Sequence, residues 1–151
     1  MFRTREELLR SLVDAMGTVW RSMHSGSGFR FGRATVGLPH VRILIYLDGR
    51  PEGVAAKDLA ERLGVTAGAI TQVIDALVEK GLVARQEDPG DRRSLRIGLT
   101  EYARNNMDDF KRDYISSISR VFDPLTDEDL LNVITILEKA NIPVKTRVPA
   151  K

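Results

Sequence analysis

Apolar residues recur every three or four positions in six stretches of the chain, the spacing that gives a helix one apolar face. The predicted helices span residues 4–24, 38–47, 55–63, 67–80, 101–121 and 127–140. Thr4 with Glu7 three residues later forms a capping box, and Thr126 with Asp129 caps the last helix. The pattern therefore predicts a mainly α-helical protein.

One part of the chain follows a different period and predicts a β-hairpin. The runs 82–86 and 94–99 are the predicted strands, and the charged segment between them contains the Pro-Gly pair of a turn. In the second run, Leu95, Ile97 and Leu99 alternate with other residues and share one face.

The segment 25–37 follows neither period. Glycines interrupt it, and Phe29 and Phe31 lie among arginines. The pattern favours an irregular loop or a distorted helical turn with its aromatic rings against the core. The alternatives are a mobile element beside a ligand pocket and a basic contact to DNA.

A turn of the helix-turn-helix type joins the helices 55–63 and 67–80. Gly64 is expected to end the first helix in the left-handed conformation, which glycine adopts without steric cost. Val65 is expected to fill the turn, and Thr66 is placed to cap the second helix.

The helix 67–80 has two contrasting faces. Its apolar stripe consists of Ile70, Val73, Ile74, Leu77 and Val78. The opposite stripe, formed by Gly68, Thr71, Gln72 and Asp75, carries no Lys or Arg. Small and short polar side chains of this kind suit a helix that enters the major groove of DNA. Helix, turn, helix and hairpin together predict a winged helix-turn-helix.

This region resembles the DNA-binding core of the MarR family of bacterial transcription regulators. The similarity is strongest over Asp88-Pro89-Gly90-Asp91-Arg92-Arg93-Ser94 followed by Leu99-Thr100, which matches the wing signature of that family. The run 38–44 is also similar to its second helix. The resemblance implies a homodimer, an operator with inverted symmetry, and a small-molecule or redox signal that weakens DNA binding.

The predicted DNA contacts lie on the second helix and the wing. Gln72 can pair with adenine through two hydrogen bonds, and Thr71 offers a hydroxyl group and a methyl group. Arg93 matches the wing arginine of the resembling family, and Asp91 is expected to brace the wing tip. The full predicted set is Thr66, Ala67, Gly68, Ala69, Thr71, Gln72, Asp75, Arg85, Asp91, Arg92 and Arg93. Arg85 fits a solvated cation equally well.

Trp20, His24 and His40 are predicted to line an effector pocket between the dimerisation helices and the DNA-binding lobe. The resembling family often binds aromatic acids there, so a small aromatic effector is an expected partner. Core or rim positions on amphipathic helices explain the same three residues.

The first and last helices have more apolar surface than a lone winged helix needs. This surplus predicts that they form a dimerisation platform and place two recognition helices about 34–36 Å apart, in successive major grooves. Within one structural domain we therefore expect an N-terminal dimerisation helix and loop (1–37), a DNA-binding region (38–100) and C-terminal dimerisation helices (101–151). The basic tail 143–151 is expected to be frayed.

Composition narrows the chemistry. The 151 residues have a formal net charge of +2, no cysteine and two histidines, with a pI of about 9.1. Without cysteine there can be no disulfide and no cysteine-based redox sensor, and we expect neither a metal nor a cofactor. No apolar run approaches the about 20 residues of a membrane span, and no signal-peptide core begins the chain. A cytoplasmic protein without membrane contact is expected.

No enzyme motif occurs, since the chain lacks a phosphate loop, a nucleophile elbow and a His-Glu metal motif. No catalytic residue is therefore predicted. The alternative to a DNA-binding regulator is a winged helix used as a protein-interaction or architectural module. Such a module would use the same face of the helix 67–80 but would not need Arg92 and Arg93.

Overall fold

The computed structural model describes residues 4–26 and 28–140, apart from the side chains of Arg92 and Arg93. The predicted tail 143–151 lies outside the described residues. The chain forms two compact units, one ending at Ile118 and the other beginning at Ser119.

The described residues form helices and short strands in alternation. The helices are α1 (Arg5–Met23), α2 (Leu38–Leu47), α3 (Ala56–Leu63), α4 (Ala67–Glu79), α5 (Glu101–Ser119) and α6 (Asp127–Lys139). The strands are β1 (Phe29–Phe31), β2 (Ala34–Val36), β3 (Val54–Ala55), β4 (Val83–Asp88) and β5 (Asp91–Leu99). A 3-10 turn, Arg120–Phe122, precedes α6.

The six predicted helices are confirmed, with ends within two residues of those expected. Side-chain caps explain this agreement. The Thr4 hydroxyl accepts a hydrogen bond from the Glu7 N–H at 3.2 Å, and the Glu7 carboxylate accepts one from the Thr4 N–H at 2.7 Å. Thr126 and Asp129 form the same reciprocal pair at the start of α6.

The interpretation of 25–37 as an irregular loop or helical turn is wrong, because β1 and β2 form an antiparallel hairpin. Phe29 pairs with Val36, and Phe31 pairs with Ala34. Gly32 lies in the turn with φ +56°, and a Cβ there would lie 2.1 Å from the Tyr102 hydroxyl oxygen. Each strand is only three residues long and is flanked by glycines, so the alternation of buried and exposed residues was not recognisable in the sequence. Phe31 is buried at 1% exposure, so the prediction that it packs on the core is confirmed.

One hydrophobic core in the first unit joins the helix-turn-helix to the root of the wing. Buried side chains come from β1, β2, α2, α3, α4, the wing strands and the first half of α5. The wing is part of a three-stranded sheet in the order β3-β5-β4, in which both pairings are antiparallel. The position of α4 relative to the wing root is therefore set by shared packing.

The prediction that Val65 fills the turn is wrong. Val65 is 42% exposed, because the turn after α3 is closed by a backbone hydrogen bond from the Val65 N–H to the Ala60 carbonyl at 3.0 Å. Leu95 is 51% exposed. It pairs with Glu87, beyond the point where the hairpin leaves the core at Ile97. The strands are also longer than predicted, since Asp88 pairs with Asp91 and only Pro89 and Gly90 lie between the strands.

The second unit contains α6, and none of the side chains of this helix is buried. Leu131, Val133 and Ile136 are between 44% and 63% exposed. No helix within the described ranges is long and apolar enough to cross a membrane.

Candidate nucleic-acid interface

The start of α4 is exposed and capped by its own sequence. The Thr66 hydroxyl accepts a hydrogen bond from the Ala69 N–H at 3.2 Å, so the predicted cap is confirmed. Gly64 has φ +66°, as predicted for the end of α3. Thr66, Ala67, Gly68 and Ala69 are all exposed. The first turn of α4 thus presents small groups and little bulk to solvent.

The two faces of α4 divide as the sequence predicts. Ile70, Ile74 and Leu77 are at most 2% exposed. Thr71, Gln72 and Asp75 are exposed on the opposite side. The helix therefore presents a polar stripe while its apolar stripe fixes it to the core.

Thr71 and Gln72 differ in what they offer a ligand. The Thr71 hydroxyl donates to the Ala67 carbonyl at 2.8 Å, so its proton is already used and its methyl group and oxygen lone pairs remain. The Gln72 amide makes no hydrogen bond to another described residue, and both its donor and its acceptor are available. Gln72 can therefore form the paired hydrogen bonds that adenine accepts and donates in the major groove.

The wing is braced by Asp88, which sequence analysis did not include among the site residues. Its carboxylate accepts hydrogen bonds from Arg96 Nε at 2.7 Å and from the Gly90 N–H at 2.8 Å. Arg96 Nη1 also donates to the Gly53 carbonyl at 3.0 Å. This network joins the wing tip, β5 and the loop before β3. The Asp-Pro-Gly spacing is a sequence signal for such a turn, because Asp side chains accept from the backbone two residues on.

The electrostatics of the wing follow from this network. The hydrogen bond from Arg96, followed by that from the Gly90 N–H, holds the pKa of Asp88 below its ordinary value. The same bond to Asp88 raises the pKa of Arg96. Both groups are therefore charged near neutral pH, and each stabilises the charge of the other.

Arg85 and Asp75, two predicted DNA contacts, are brought together by the structure. Arg85 Nη2 on β4 donates to Asp75 Oδ1 on α4. Their side chains are 35% and 57% exposed, respectively. The pair connects the outer stripe of α4 with the wing.

The remaining wing residues are placed by the backbone. Asp91, Arg92 and Arg93 begin β5, immediately after the turn at Pro89 and Gly90. Asp91 takes part in an interaction within the chain. The predictions for Arg92 and Arg93 concern side chains outside the described part of the structure, so they stay predictions.

The predicted effector residues do not share a single set of contacts. Trp20 and His24 lie with ring centroids 4.2 Å apart, and His24 Nδ1 donates to the Trp20 carbonyl at 2.7 Å. Phe29 lies 6.3 Å from His24 and 4.8 Å from Tyr114, which extends the row of rings.

His40 is engaged at the start of α2. Its Nδ1 accepts a hydrogen bond from the Gly37 N–H at 3.0 Å. Burial, together with the positive charge of Lys80, lowers the pKa of His40. The structure thus joins Trp20 and His24 in one aromatic row, and it gives His40 a capping role on another helix.

Within the described ranges, no group of three or more His, Asp or Glu residues is arranged to hold a metal ion. The features that are present are an exposed polar helix stripe, a preceding helix and a braced hairpin. This arrangement defines a winged helix-turn-helix, a class of DNA-binding fold in which the second helix enters the major groove.

Comparison with known proteins finds a family that matches the winged helix-turn-helix region. The MarR family matches residues 35–94. The HTH-type transcriptional repressor YetL of Bacillus subtilis is 28% identical over 126 residues, which cover 82% of this chain and 72% of YetL. Residues 35–94 thus match the MarR family of winged helix-turn-helix transcription regulators, and most of the chain is similar to a DNA-binding regulator of this kind.

Solved structures share this fold. A mutant MarR from E. coli complexed with operator DNA superimposes with a TM-score of 0.67 and 19% identity, over 88% of this chain and 92% of that protein. CouR from Rhodococcus jostii, bound to p-coumaroyl-CoA, gives a TM-score of 0.63 and 26% identity, over 87% and 90% of the two chains. The predicted fold class is confirmed, including the terminal helices that flank the winged region.

Proposed function

We propose that this protein is a homodimeric repressor that binds an inverted-repeat operator and is released from it by a small aromatic effector. In this proposal, residues 38–100 bind DNA, and the flanking regions 1–37 and 101–151 hold the dimer together. The observation that carries the proposal is the exposed stripe of α4, which lacks Lys and Arg and lies beside a braced wing.

The α4 stripe supports base recognition over purely electrostatic binding. Binding without sequence preference depends on Lys and Arg that neutralise phosphates. Gln72 and Thr71 instead present groups that can distinguish base edges. The exposed backbone around Gly68 permits a close approach of the helix start to the DNA. Thr66, Ala67 and Ala69 complete this surface.

The wing supports a second contact beside the first. Its tip carries Arg92 and Arg93 next to a turn held by Asp88. Arginine is attracted to the negative potential of a narrow minor groove and to phosphates. Base contacts from α4 and wing contacts from Arg93 would together fix the register of the protein on its site.

The apolar surface of α1 supports the homodimer. Leu8, Leu9, Leu12, Val13 and Met16 are between 50% and 66% exposed, and α1 has no buried residue. Contiguous exposed apolar surface of this kind is typical of an interface. A second copy of the chain would cover it, and α6 presents further exposed apolar residues of its own. Repression is supported by YetL, whose name describes a transcriptional repressor.

The aromatic row of Trp20, His24 and Phe29 supports an aromatic effector. Flat rings stack on ligands of the same kind, and CouR is bound to an aromatic acyl-CoA. An effector that favours a dimer with unsuitably spaced recognition helices would need a coupling of only ~1–3 kcal/mol to weaken DNA binding about 5–150-fold.

The first experiment is selection of DNA from a random pool, followed by anisotropy titration of the enriched duplex at several salt concentrations. We expect an inverted repeat and a steep salt dependence that reflects several phosphate contacts. Arg93→Ala should weaken binding clearly, whereas the control Arg112→Ala, which removes an exposed arginine on α5, should not. Light scattering of the same sample at micromolar concentration should give the dimer mass.

Different results would contradict different parts of the proposal. If the pool yields no enriched sequence and Arg93→Ala has no effect, the winged helix is a protein-interaction module. A monomer mass would exclude the homodimer, and a panel of aromatic carboxylates without effect on affinity would exclude the proposed effector class. Transcription in vitro from a promoter that contains the enriched site separates repression from activation.

A further inference from the structure

A short turn connects α4 to the wing. Lys80 caps α4, Gly81 has φ +68°, and the buried Leu82 leads into β4. Below this turn, the Thr100 hydroxyl donates to the Gly81 carbonyl at 2.8 Å and fixes the base of the hairpin. Above it, side-chain contacts join the wing to α4 and to the loop before β3.

Two ion pairs hold the projecting part of the wing on opposite faces. Arg85 lies opposite Ile97 in the ladder, whereas its neighbour Gln86 lies opposite Arg96. Adjacent residues of a strand point to opposite faces. The Arg85–Asp75 pair therefore connects the inner face of the wing to α4. The Arg96–Asp88 pair, through the Gly53 carbonyl, ties the outer face to the loop before β3.

Arg85 lies at the boundary between the buried root of the hairpin and its exposed tip, on the face that is directed toward α4. Below it, Val83 and Leu99 form a buried pair, at 2% and 3% exposure. Above it, Leu95 is 51% exposed. The guanidinium at this boundary reaches back to the carboxylate of Asp75. The pair thus connects the two surfaces that the proposed function assigns to base recognition and wing contact.

The pair also changes the charge that the DNA-facing surface presents. An unpaired Asp75 carboxylate on the α4 stripe would repel phosphates. An unpaired Arg85 would attract them without regard to sequence. When the two are joined, each charge is neutralised by the other, and the stripe keeps its selectivity for base edges.

We infer that Arg85 and Asp75 are positioning residues that set the angle between α4 and the wing and suppress non-specific phosphate binding, and that they are not DNA contacts themselves. This inference rests on the proposed function, since it concerns how the recognition helix and the wing act on one site. It replaces the sequence-based expectation that each contacts DNA independently.

The test measures affinity for the selected duplex and for a scrambled duplex over a salt series. Arg85→Gln and Asp75→Asn should each lower affinity for the selected duplex roughly two- to thirtyfold. The double variant should lose no more than the worse single variant, because both remove one interaction. The salt slope for the selected duplex should be unchanged by Arg85→Gln. Asp75→Asn should raise affinity for the scrambled duplex, and the added Arg85→Gln should abolish that gain.

The opposite pattern overturns the inference. If Arg85 contacts a phosphate, Arg85→Gln lowers the salt slope by about 0.9, and Asp75→Asn leaves binding to the selected duplex unchanged or tighter. Arg85→Lys keeps the charge and should restore much of the lost affinity. Arg112→Gln is the matched control. It breaks an arginine–aspartate pair with Asp109 on α5, where both side chains are more than 70% exposed, and it should change neither affinity nor slope.

Hydrogen exchange in the free protein tests the positioning role independently of DNA binding. Hydrogen exchange should be faster in the wing, residues 83–99, of Arg85→Gln and Asp75→Asn, with α1 unaffected. Unchanged exchange would overturn the positioning role. If the wild-type protein selects no duplex, the proposed function fails and this inference fails with it. If the wild type selects a duplex but the variants lower the salt slope, only this inference fails.

Discussion

The helices α4 and α1 carry the same apolar period but have opposite surroundings. In α4, Ile70 and Ile74 are at most 2% exposed. In α1, Leu12 and Met16 are 55% and 51% exposed. Side chains of the same chain bury the apolar stripe of α4. The apolar stripe of α1 is not buried by any of the described residues. The contrast indicates that the packing of α4 is completed within the protomer, whereas the apolar stripe of α1 stays exposed there. The proposed second copy of the chain would cover that stripe.

A charge placed in the apolar stripe of α1 should have the largest effect. Leu12→Glu should convert the dimer to a monomer, because the new carboxylate would be buried without a partner at the interface. A monomer can engage only one half-site at a time. We therefore expect a ~10²–10⁴-fold loss of operator affinity, measured by anisotropy beside light scattering.

The control for Leu12→Glu is Ser11→Glu, which adds the same charge to the polar side of α1. It should leave mass and affinity unchanged. A dimer mass for Leu12→Glu would mean that α1 is not the interface.

A core substitution in α4 tests how much the buried stripe of this helix stabilises the protein. Ile74→Ala should lower the free energy of unfolding by roughly 2–5 kcal/mol, because it removes buried methyl groups and leaves a cavity. Chemical denaturation at one protein concentration measures this loss. Val13→Ala on α1, at a side chain 66% exposed, is the matched change within the protomer. If both substitutions lowered the free energy of unfolding equally in a monomeric variant, the stripe of α1 would be as well packed within the protomer as that of α4.

The outer stripe of α4 should separate binding from stability. Gln72→Ala should lose about 1–3 kcal/mol of discrimination between the preferred and the substituted base pair. Its free energy of unfolding should stay within about 0.5 kcal/mol of the wild-type value, since the side chain is exposed. Titration of matched and substituted duplexes measures the first quantity, and denaturation measures the second. Equal binding to both duplexes would contradict a role for Gln72 in base recognition.

The smallest expected effect concerns the brace of the wing. The pKa of Asp88 is lowered in the folded protein by Arg96 and by the Gly90 N–H. The ionised Asp88 carboxylate therefore contributes fully to the free energy of unfolding above its unfolded-state pKa. This contribution is lost as the pH falls through the pKa of the folded state. Asp88→Asn should lower the free energy of unfolding at neutral pH, and the difference from wild type should shrink below about pH 4. A difference that is constant from pH 7 to pH 3 would contradict this.

Much of the α4 site is predictable from sequence because its causes are local. Thr66 caps α4 through its own side chain, and Gly64 ends α3 with a positive φ. The period of apolar residues then decides which side of α4 is buried. These effects act within a few residues, so a pattern in the chain is enough to identify them.

The errors arose where contacts over longer distances decide. The hairpin β1–β2 forms because Phe31 and Val36 find places in the core, which their local glycine-rich context does not indicate. The predicted alternation of Leu95 with Ile97 and Leu99 holds, but packing decides that Leu95 lies beyond the edge of the core. The pairing of Arg85 with Asp75 depends on how α4 and β4 meet across ten residues of chain, and no local pattern reports that angle.

The order of residues specifies the helices, their caps, the polar stripe of α4 and the resemblance of the wing to a known family. Periodicity, capping and turn chemistry are short-range effects that the order of residues encodes directly. The tertiary structure alone places Asp88 against Arg96, Arg85 against Asp75, and His40 Nδ1 against the Gly37 N–H. Each of these depends on the distance between side chains on different elements, which packing of the core sets.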